Sequence, residues 1–199
     1  MKKSVSLLLT FILCITLLAG CGSKSPYAGA KKGDTIELGG LNWRVLEVSG
    51  GKALLISEKI LEGRPYNFAA RSYGDIITWE ICELREYLNG SFYNDTFSEE
   101  EKEWIAESDI VNSDNPEFGT AGGNNTKDRI FLLSIEEAQK YFETDEDRTA
   151  AGSPPFYWLR SPGESSHEGS YVNSRGSVDA GGPNVGNTAG VRPALWLQL

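Results

Sequence analysis

Two arginines sit inside aromatic, apolar runs. Arg160 follows Phe156, Tyr157, Trp158 and Leu159 in "FYWLRSPG", and Arg192 lies among Val191, Pro193, Ala194, Leu195 and Trp196 in "GVRPALWLQL". A guanidinium in such surroundings needs carboxylate or carbonyl partners, because an isolated charge in a core is very costly. Its planar fork of five donors can tie several backbone carbonyls at once. The favoured reading is structural: Arg160 and Arg192 clip irregular segments together. The competing reading makes Trp158 and Arg160 a stacking and anion-binding pair in a cleft.

Other residues can do chemistry in principle. The single histidine, His167, stands beside Ser165, Ser166 and Glu168 in "GESSHEGS". A nucleophilic serine needs a base held in place, and a flexible Gly/Ser loop holds one poorly, so His167 reads as a surface residue. A glycosidase-like pair of carboxylates needs no histidine; Glu80, beside Trp79 at a helix start, is the best single candidate. Asp114, Asn115, Glu117, Asn124, Asn125 and Asp128 offer oxygens to a hard cation but do not fit an EF-hand loop. They read as solvated turn residues, and no metal site is expected.

The first twenty residues form a different kind of signal. Lys2 and Lys3 precede a 14-residue apolar stretch, Val5 to Leu18, which ends in Leu18-Ala19-Gly20-Cys21. That length suits a signal peptide and is short for a membrane span. Small residues followed directly by Cys resemble the bacterial lipobox, which implies cleavage between Gly20 and Cys21 and a lipid on Cys21. Removing residues 1–20 leaves 17 basic and 28 acidic residues, a formal charge of −11. Such a surface repels nucleic acid, so attachment to the membrane, on its outer face, falls to the lipid. Cys14 would leave with the signal and Cys21 would be acylated. Cys82 is then alone and reads as a small buried hydrophobe.

The elements that must position these residues follow from periodicity and caps. Residues 21–33 read as a lipid-anchored Gly/Ser/Lys tether, and its twelve residues from Gly22 to Gly33 would span on the order of 20 Å r.m.s.. Thr35 to Leu38, "LNWRVLEV" (41–48) and "KALLIS" (52–57) predict a three-stranded meander turning at Gly39-Gly40 and Gly50-Gly51. Residues 58–77 read as loop. Thr78 predicts a helix cap for Trp79 to Asn89, with Ile77, Ile81, Leu84 and Leu88 on one face and Gly90 as its end. Ser98 with Glu101 and Ser134 with Glu137 are capping boxes, for helices to about Glu107 and Phe142. A polar loop at 112–128 separates them, followed by a strand at Arg129 to Leu133. The Gly/Ser/Pro/Asn-rich last third holds strand islands: "FYWLR", "SYVNS", "SVDA" and the terminal run. Mid-chain helices with strands at both ends predict a single α+β domain over 34–199, closed by its terminal strands.

The ordered segments "NWRVLEV…ALLIS", "PYN", "TWEICELREYLNGSFYNDTFSEEEKEWI", "NPEFGTAGGNNTKDRIFLLSIEEAQKYF", "YWLRSPG" and "GVRPALWLQL" resemble a bacterial domain family of unassigned function. Its members occur on secreted and lipid-anchored proteins, largely of Firmicutes. The resemblance covers residues 34–199. That family is similar in turn to the C-type-lectin-like fold used by formylglycine-generating enzymes, in which a Gly-hydrophobic-Arg segment also closes the chain. Those enzymes hold copper with two cysteines in the C-terminal half, as its oxygen chemistry requires. This chain has no Cys after Cys82, so that reaction, and with it any cofactor, is not expected. The calcium-lectin triplets Glu-Pro-Asn, Gln-Pro-Asp and Trp-Asn-Asp are absent too.

The resemblance implies that late loops face a ligand. Here these are Gly163 to Ser170 and Asp179 to Ala189, with Ser153 to Tyr157 nearby. Tyr157, Tyr171, Trp158, Arg160, Asn184 and Asn187 are the candidate contacts. The expected role is a lipid-anchored extracytoplasmic binding or scaffolding module for an envelope glycan or protein. The alternatives are a carboxylate enzyme acting on envelope glycans or peptides, and a structural partner of a membrane complex.

Overall fold

The computed structural model describes residues 25–68 and 76–199. The expectations for the signal segment 1–20, Gly20 and Cys21 lie outside the described residues. Of the expected tether 21–33, residues 25–33 are folded rather than free. Ser25 is buried and its hydroxyl donates to the Gln198 carbonyl at 3.0 Å, while the Gly33 N–H donates to the Val45 carbonyl at 2.9 Å.

Two sheets carry the domain, which is α+β as expected. The first begins with the predicted meander: β1 (Thr35–Leu38), β2 (Leu41–Ser49) and β3 (Lys52–Ser57) pair antiparallel in chain order. Trp43 is fully buried, and its indole donates to the Leu38 carbonyl across the hairpin at 2.9 Å. The last strand, β13 (Ala194–Gln198), lies antiparallel on the other side of β3. The two ends of the domain therefore share a sheet, but contrary to expectation the terminal strands do not pair with each other: β13 meets β3, and β1 lies at the edge beside β2.

The second sheet runs β11-β10-β9-β12-β4. It comprises β4 (Glu62–Pro65), β9 (Tyr157–Pro162), β10 (Gly169–Val172), β11 (Val178–Asp179) and β12 (Thr188–Val191). The late strand islands are all present. The terminal run "GVRPALWLQL" is two strands in different sheets, broken at Arg192-Pro193, where Pro193 cannot donate to a ladder. β4 falls within the stretch expected to be loop. It shows no alternation, and its edge position is what tolerates Pro65.

The middle of the chain departs most from expectation. The helix expected over 79–89 is a 3-10 turn, Trp79–Ile81, then α1 (Glu83–Tyr87), a π-turn at Leu88–Phe92 and α2 (Tyr93–Thr96). Thr78 makes no side-chain cap; the Cys82 sulfur caps α1 instead, accepting from the Arg85 N–H at 3.4 Å. Gly90 does not end the run; it sits at a kink within it. Leu84 and Leu88 are buried, but Ile81 is 60% exposed, so the expected apolar face breaks at the 3-10 turn.

Both capping boxes form with their hydrogen bonds in both directions. The first caps only α3 (Glu99–Lys102); Ile105 and Ala106 instead form β5, paired with β13. Burial of Ile105 in the sheet outweighs the helical continuation that the cap alone suggests. The second caps α4 (Ile135–Tyr141), and α5 (Asp145–Arg148) follows. β6 (Ser108–Ile110) pairs with β7 (Thr126–Asp128), closing the ends of the polar loop into a hairpin. β8 (Ile130–Phe131) joins β13. Among the described residues no helix is long and apolar enough to cross a membrane.

Candidate functional site

Arg160 lies in β9, 4% exposed, facing the N-terminus of α4. Glu137, the capping-box acid of α4, receives both of its terminal nitrogens: Nη2 donates to Oε1 at 2.9 Å and Nη1 donates to Oε2. Nη1 also donates to the Leu132 carbonyl at 2.8 Å and Nη2 to the Val111 carbonyl at 3.0 Å. Tyr66 donates to the Arg160 carbonyl at 2.8 Å. One side chain thus joins β9, α4, the segment before α4 and the end of β6.

Arg192 occupies the crossing between the sheets and is 1% exposed. Its Nε donates to Ser57 O at 3.0 Å, at the end of β3; its Nη1 donates to Arg148 O at 2.9 Å and to the Tyr157 hydroxyl at 3.1 Å. Phe142 and Tyr157 flank the guanidinium at 5.4 and 5.2 Å from their ring centroids. It has no ion-pair carboxylate among the described residues, and burial pushes its pKa below the usual arginine value. A third buried clip, Arg148, was not singled out in the sequence. Its Nε donates to Ala138 O at 2.9 Å and its Nη1 to Gly176 O at 2.7 Å and Asp145 Oδ1 at 2.6 Å. The polar run "TDEDRTAAG" around it gives no sign of burial.

The candidate contacts separate into two groups. Trp158 is fully buried, with its indole donating to Arg64 O at 2.9 Å. Tyr157 is also buried, and its hydroxyl donates to Arg148 O at 2.7 Å. Both arginines are therefore held by buried protein partners. The Trp158–Arg160 stacking pair has no open face, because β9 is buried on both sides. Tyr171 remains partly exposed, edge-on to Phe156 at 5.9 Å. Asn184 and Asn187 are exposed.

Asn184 bridges to Glu168 in an end of the molecule built from loops, whereas Tyr171 pairs with Trp158, nearer the start of β9. The hub of the loop-built end is Asn115, 2% exposed. The Asn115 amide nitrogen donates to the carbonyls of Pro162, Gly163 and Ala180 at 2.8, 3.1 and 2.9 Å. Its amide oxygen accepts from the N–H groups of Glu117 and Phe118. Thr120 donates to Glu164 O, and the Ile77 N–H donates to Ser166 O. Gly182, at φ +67°, packs so closely on the Gly169 carbonyl that a Cβ there would lie 1.8 Å from the oxygen, so only glycine fits.

The residues considered for a cation are used by protein donors. Asp114 accepts from the Gly122 N–H, and Asn125 from the Asn112 N–H. Asp128 is buried and holds Trp79, Thr126 and Arg85, the last at 2.7 Å. Asn115 and Asp128 are buried and wired into the fold, whereas Asp114, Glu117, Asn124 and Asn125 are exposed turn residues as expected; among the described residues no acid, His or Cys cluster could hold a metal. Glu80 holds the Asn124 side chain and N–H, so its carboxylate is a loop tie.

The Ser165 hydroxyl does meet His167, at 3.1 Å from Nδ1 and 3.3 Å from Nε2, and it donates to Glu168 at 2.8 Å. At these distances an oxygen nearly equidistant from both ring nitrogens lies over the ring face, because in the ring plane it would collide with the carbon between them. Neither nitrogen is then lined up as a base. Glu168 holds the serine rather than orienting the imidazole, which is not triad geometry. Burial pushes the Cys82 thiol up to about 12, so it is no nucleophile at neutral pH.

An α+β domain with a preorganised, loop-built end is the class these observations define. The match to DUF6273, a domain of unknown function, spans residues 50–199, and the chain belongs to that family. No curated protein matches the chain, and no solved structure does.

Proposed function

We propose that this is a lipid-anchored extracytoplasmic binding module whose ligand-facing surface is the loop-built end. The observation that carries the reading is the Asn115 hub. It joins the backbone of three loop segments at one buried side chain, which suits a surface where loop shape matters. Asn184 borders this frame through its bridge to Glu168, and the candidate surface runs on to the exposed Asn187 and the partly exposed Tyr171. Phe118, 42% exposed, adds an apolar contact. Small amides and aromatic faces suit adaptable recognition of hydroxyl-rich or peptide ligands.

A C-type-lectin-like topology belongs to the same proposal. It is supported by the first and last strands sharing one sheet and by the irregular loops between the late strands. The lipid on Cys21 rests on the n-region, apolar stretch and lipobox of the sequence. Cys21 stands four positions before Ser25, so the anchor would lie within about 14 Å of the point where Ser25 meets Gln198. That contact is at the far end of β13 from Arg192.

Two experiments test the reading. Growth with a fatty-acid analogue should label the protein and not Cys21→Ser; an unlabelled protein whose mature end lies elsewhere contradicts the anchor. Replacing Ser165–Glu168 with glycines should leave the melting temperature near its original value and abolish binding to cell-envelope fragments. Full binding by that variant contradicts the loop assignment.

A further inference from the structure

A groove of about 360 Å³ opens on the first sheet, away from the late loops, lined by Ser49, Gly50, Lys52, Glu107, Ser108, Asp109 and Trp196. Register explains its floor. Lys52 pairs with both Ser49 and Gln198, and Trp196 pairs with Leu54 on one side and Ala106 on the other. Directly opposed residues, and residues two apart along a strand, share a face. Ser49, Lys52 and Trp196 therefore stand together.

Trp196 differs from the other tryptophans of the sheets. Trp43 and Trp158 are fully buried and spend their indole N–H on carbonyls. Trp196 is only partly buried, and among the described residues no protein group accepts from its N–H. The walls carry charge that is already balanced: Asp109 pairs with Lys127 at 2.7 Å and Glu107 with Arg129 at 3.0 Å. Both pairs are solvent-exposed, so they are weak and their carboxylate oxygens keep capacity for further donors.

We propose that this groove is a second binding site, for a short saccharide. A partly exposed aromatic ring, flanked by carboxylates, hydroxyls and one ammonium, matches a pyranose, which offers an apolar C–H face and a rim of hydroxyls. The sugar face lies on Trp196, its hydroxyls donate to Asp109 and Glu107, and Lys52 and Ser108 donate in return. The size fits one or two rings, and the balanced walls favour an uncharged ligand. The site shares none of its lining residues with the loop-built end, so either can fail alone.

The test uses the full chain in detergent micelles, with 5-fluorotryptophan at its five tryptophans, titrated with maltotriose, cellotriose and chitotriose. Trp196→Phe assigns its 19F signal, and Lys52→Ala and Asp109→Asn, both surface changes, assign it independently if that variant does not fold. At least one trisaccharide should shift the Trp196 signal saturably, with a Kd of about 1 mM. Asp109→Asn and Lys52→Ala should each weaken it roughly fivefold, as for one lost hydrogen bond. The Trp43, Trp79 and Trp158 signals should stay in place. No shift at Trp196 with any of the three up to about 50 mM, or shifts unaltered in both groove variants, overturns the proposal.

Discussion

Glu137 caps the N-terminus of α4 through the Ser134 N–H at 2.9 Å and, with the same carboxylate, holds the guanidinium of Arg160. A local helix signal and a long-range ion pair are therefore one feature. Changes on its two sides should cost unequal amounts. Arg160→Met strands Glu137 and the Leu132 and Val111 carbonyls, and should cost about 3 kcal/mol. Glu137→Gln keeps the cap and loses the charge, so it should cost less, about 1–2 kcal/mol. Chemical denaturation measures both; equal losses would contradict the shared role.

Arg192 should behave differently. It has carbonyl and hydroxyl partners but no ion-pair carboxylate, and it carries a full desolvation cost. Arg192→Met removes that cost while stranding Ser57 O. Arg148 O keeps the Tyr157 hydroxyl. The net loss should be about 1–2 kcal/mol, smaller than for Arg160→Met. A reversed order in the denaturation midpoints would show that the crossing between the sheets depends on the charge itself.

Asn115 is the loop hub, and its donors face three carbonyl oxygens. Asn115→Ala should raise amide exchange in residues 112–124 and 163–182 while leaving β2 and β3 protected. Asn115→Asp should be worse, because it sets a carboxylate against three oxygens. Exchange read by mass spectrometry decides it; uniform loss of protection across the domain would mean the loops are not a separate unit.

The Glu58 carboxyl sits below its usual range, chiefly through its hydrogen bond from Arg44, at 2.8 Å from Nη2. A depressed folded value contributes stability above the unfolded carboxylate pKa of about 4.3, and that contribution is lost as pH falls through the folded value. Glu58→Gln should therefore lower stability at pH 7, by no more than about 1 kcal/mol for a pair this exposed. The gap from the parent should close as pH falls below about 4. Melting curves across that range check the sign.

The buried Cys82 thiol, raised to about 12, should resist alkylation at pH 7 until the domain unfolds. Peptide mapping separates it from Cys14 and Cys21. Rapid labelling of Cys82 in the native protein would contradict its burial.

Much of the fold was legible in the sequence. Alternation and Gly-Gly turns predicted β1 to β3, and both capping boxes formed because Ser-x-x-Glu is a local interaction. The failures are non-local. Ile105 left its expected helix for β13, β4 has no alternation to reveal it, and Ile81 faces solvent because Trp79 turns inward to Asp128. At the candidate site, Arg160 and Arg192 are buried against carbonyl, hydroxyl and carboxylate partners from distant segments. Tyr157 and Trp158 were expected at a ligand surface but lie in a strand buried on both faces, which a polar-flanked aromatic run does not announce. The Asn115 hub looked like a turn residue, since its acceptors lie 47 to 65 residues away.

The central claim is that binding belongs to the loop-built end and not to the helix start at Trp79. Its most direct test is the binding of residues 22–199, free of the lipid, to envelope fragments by co-sedimentation. Asn184→Ala/Asn187→Ala should fold normally and lose binding, while Glu80→Gln should retain it. Retention by the double variant together with loss in Glu80→Gln would contradict the account and move the site to the helix start.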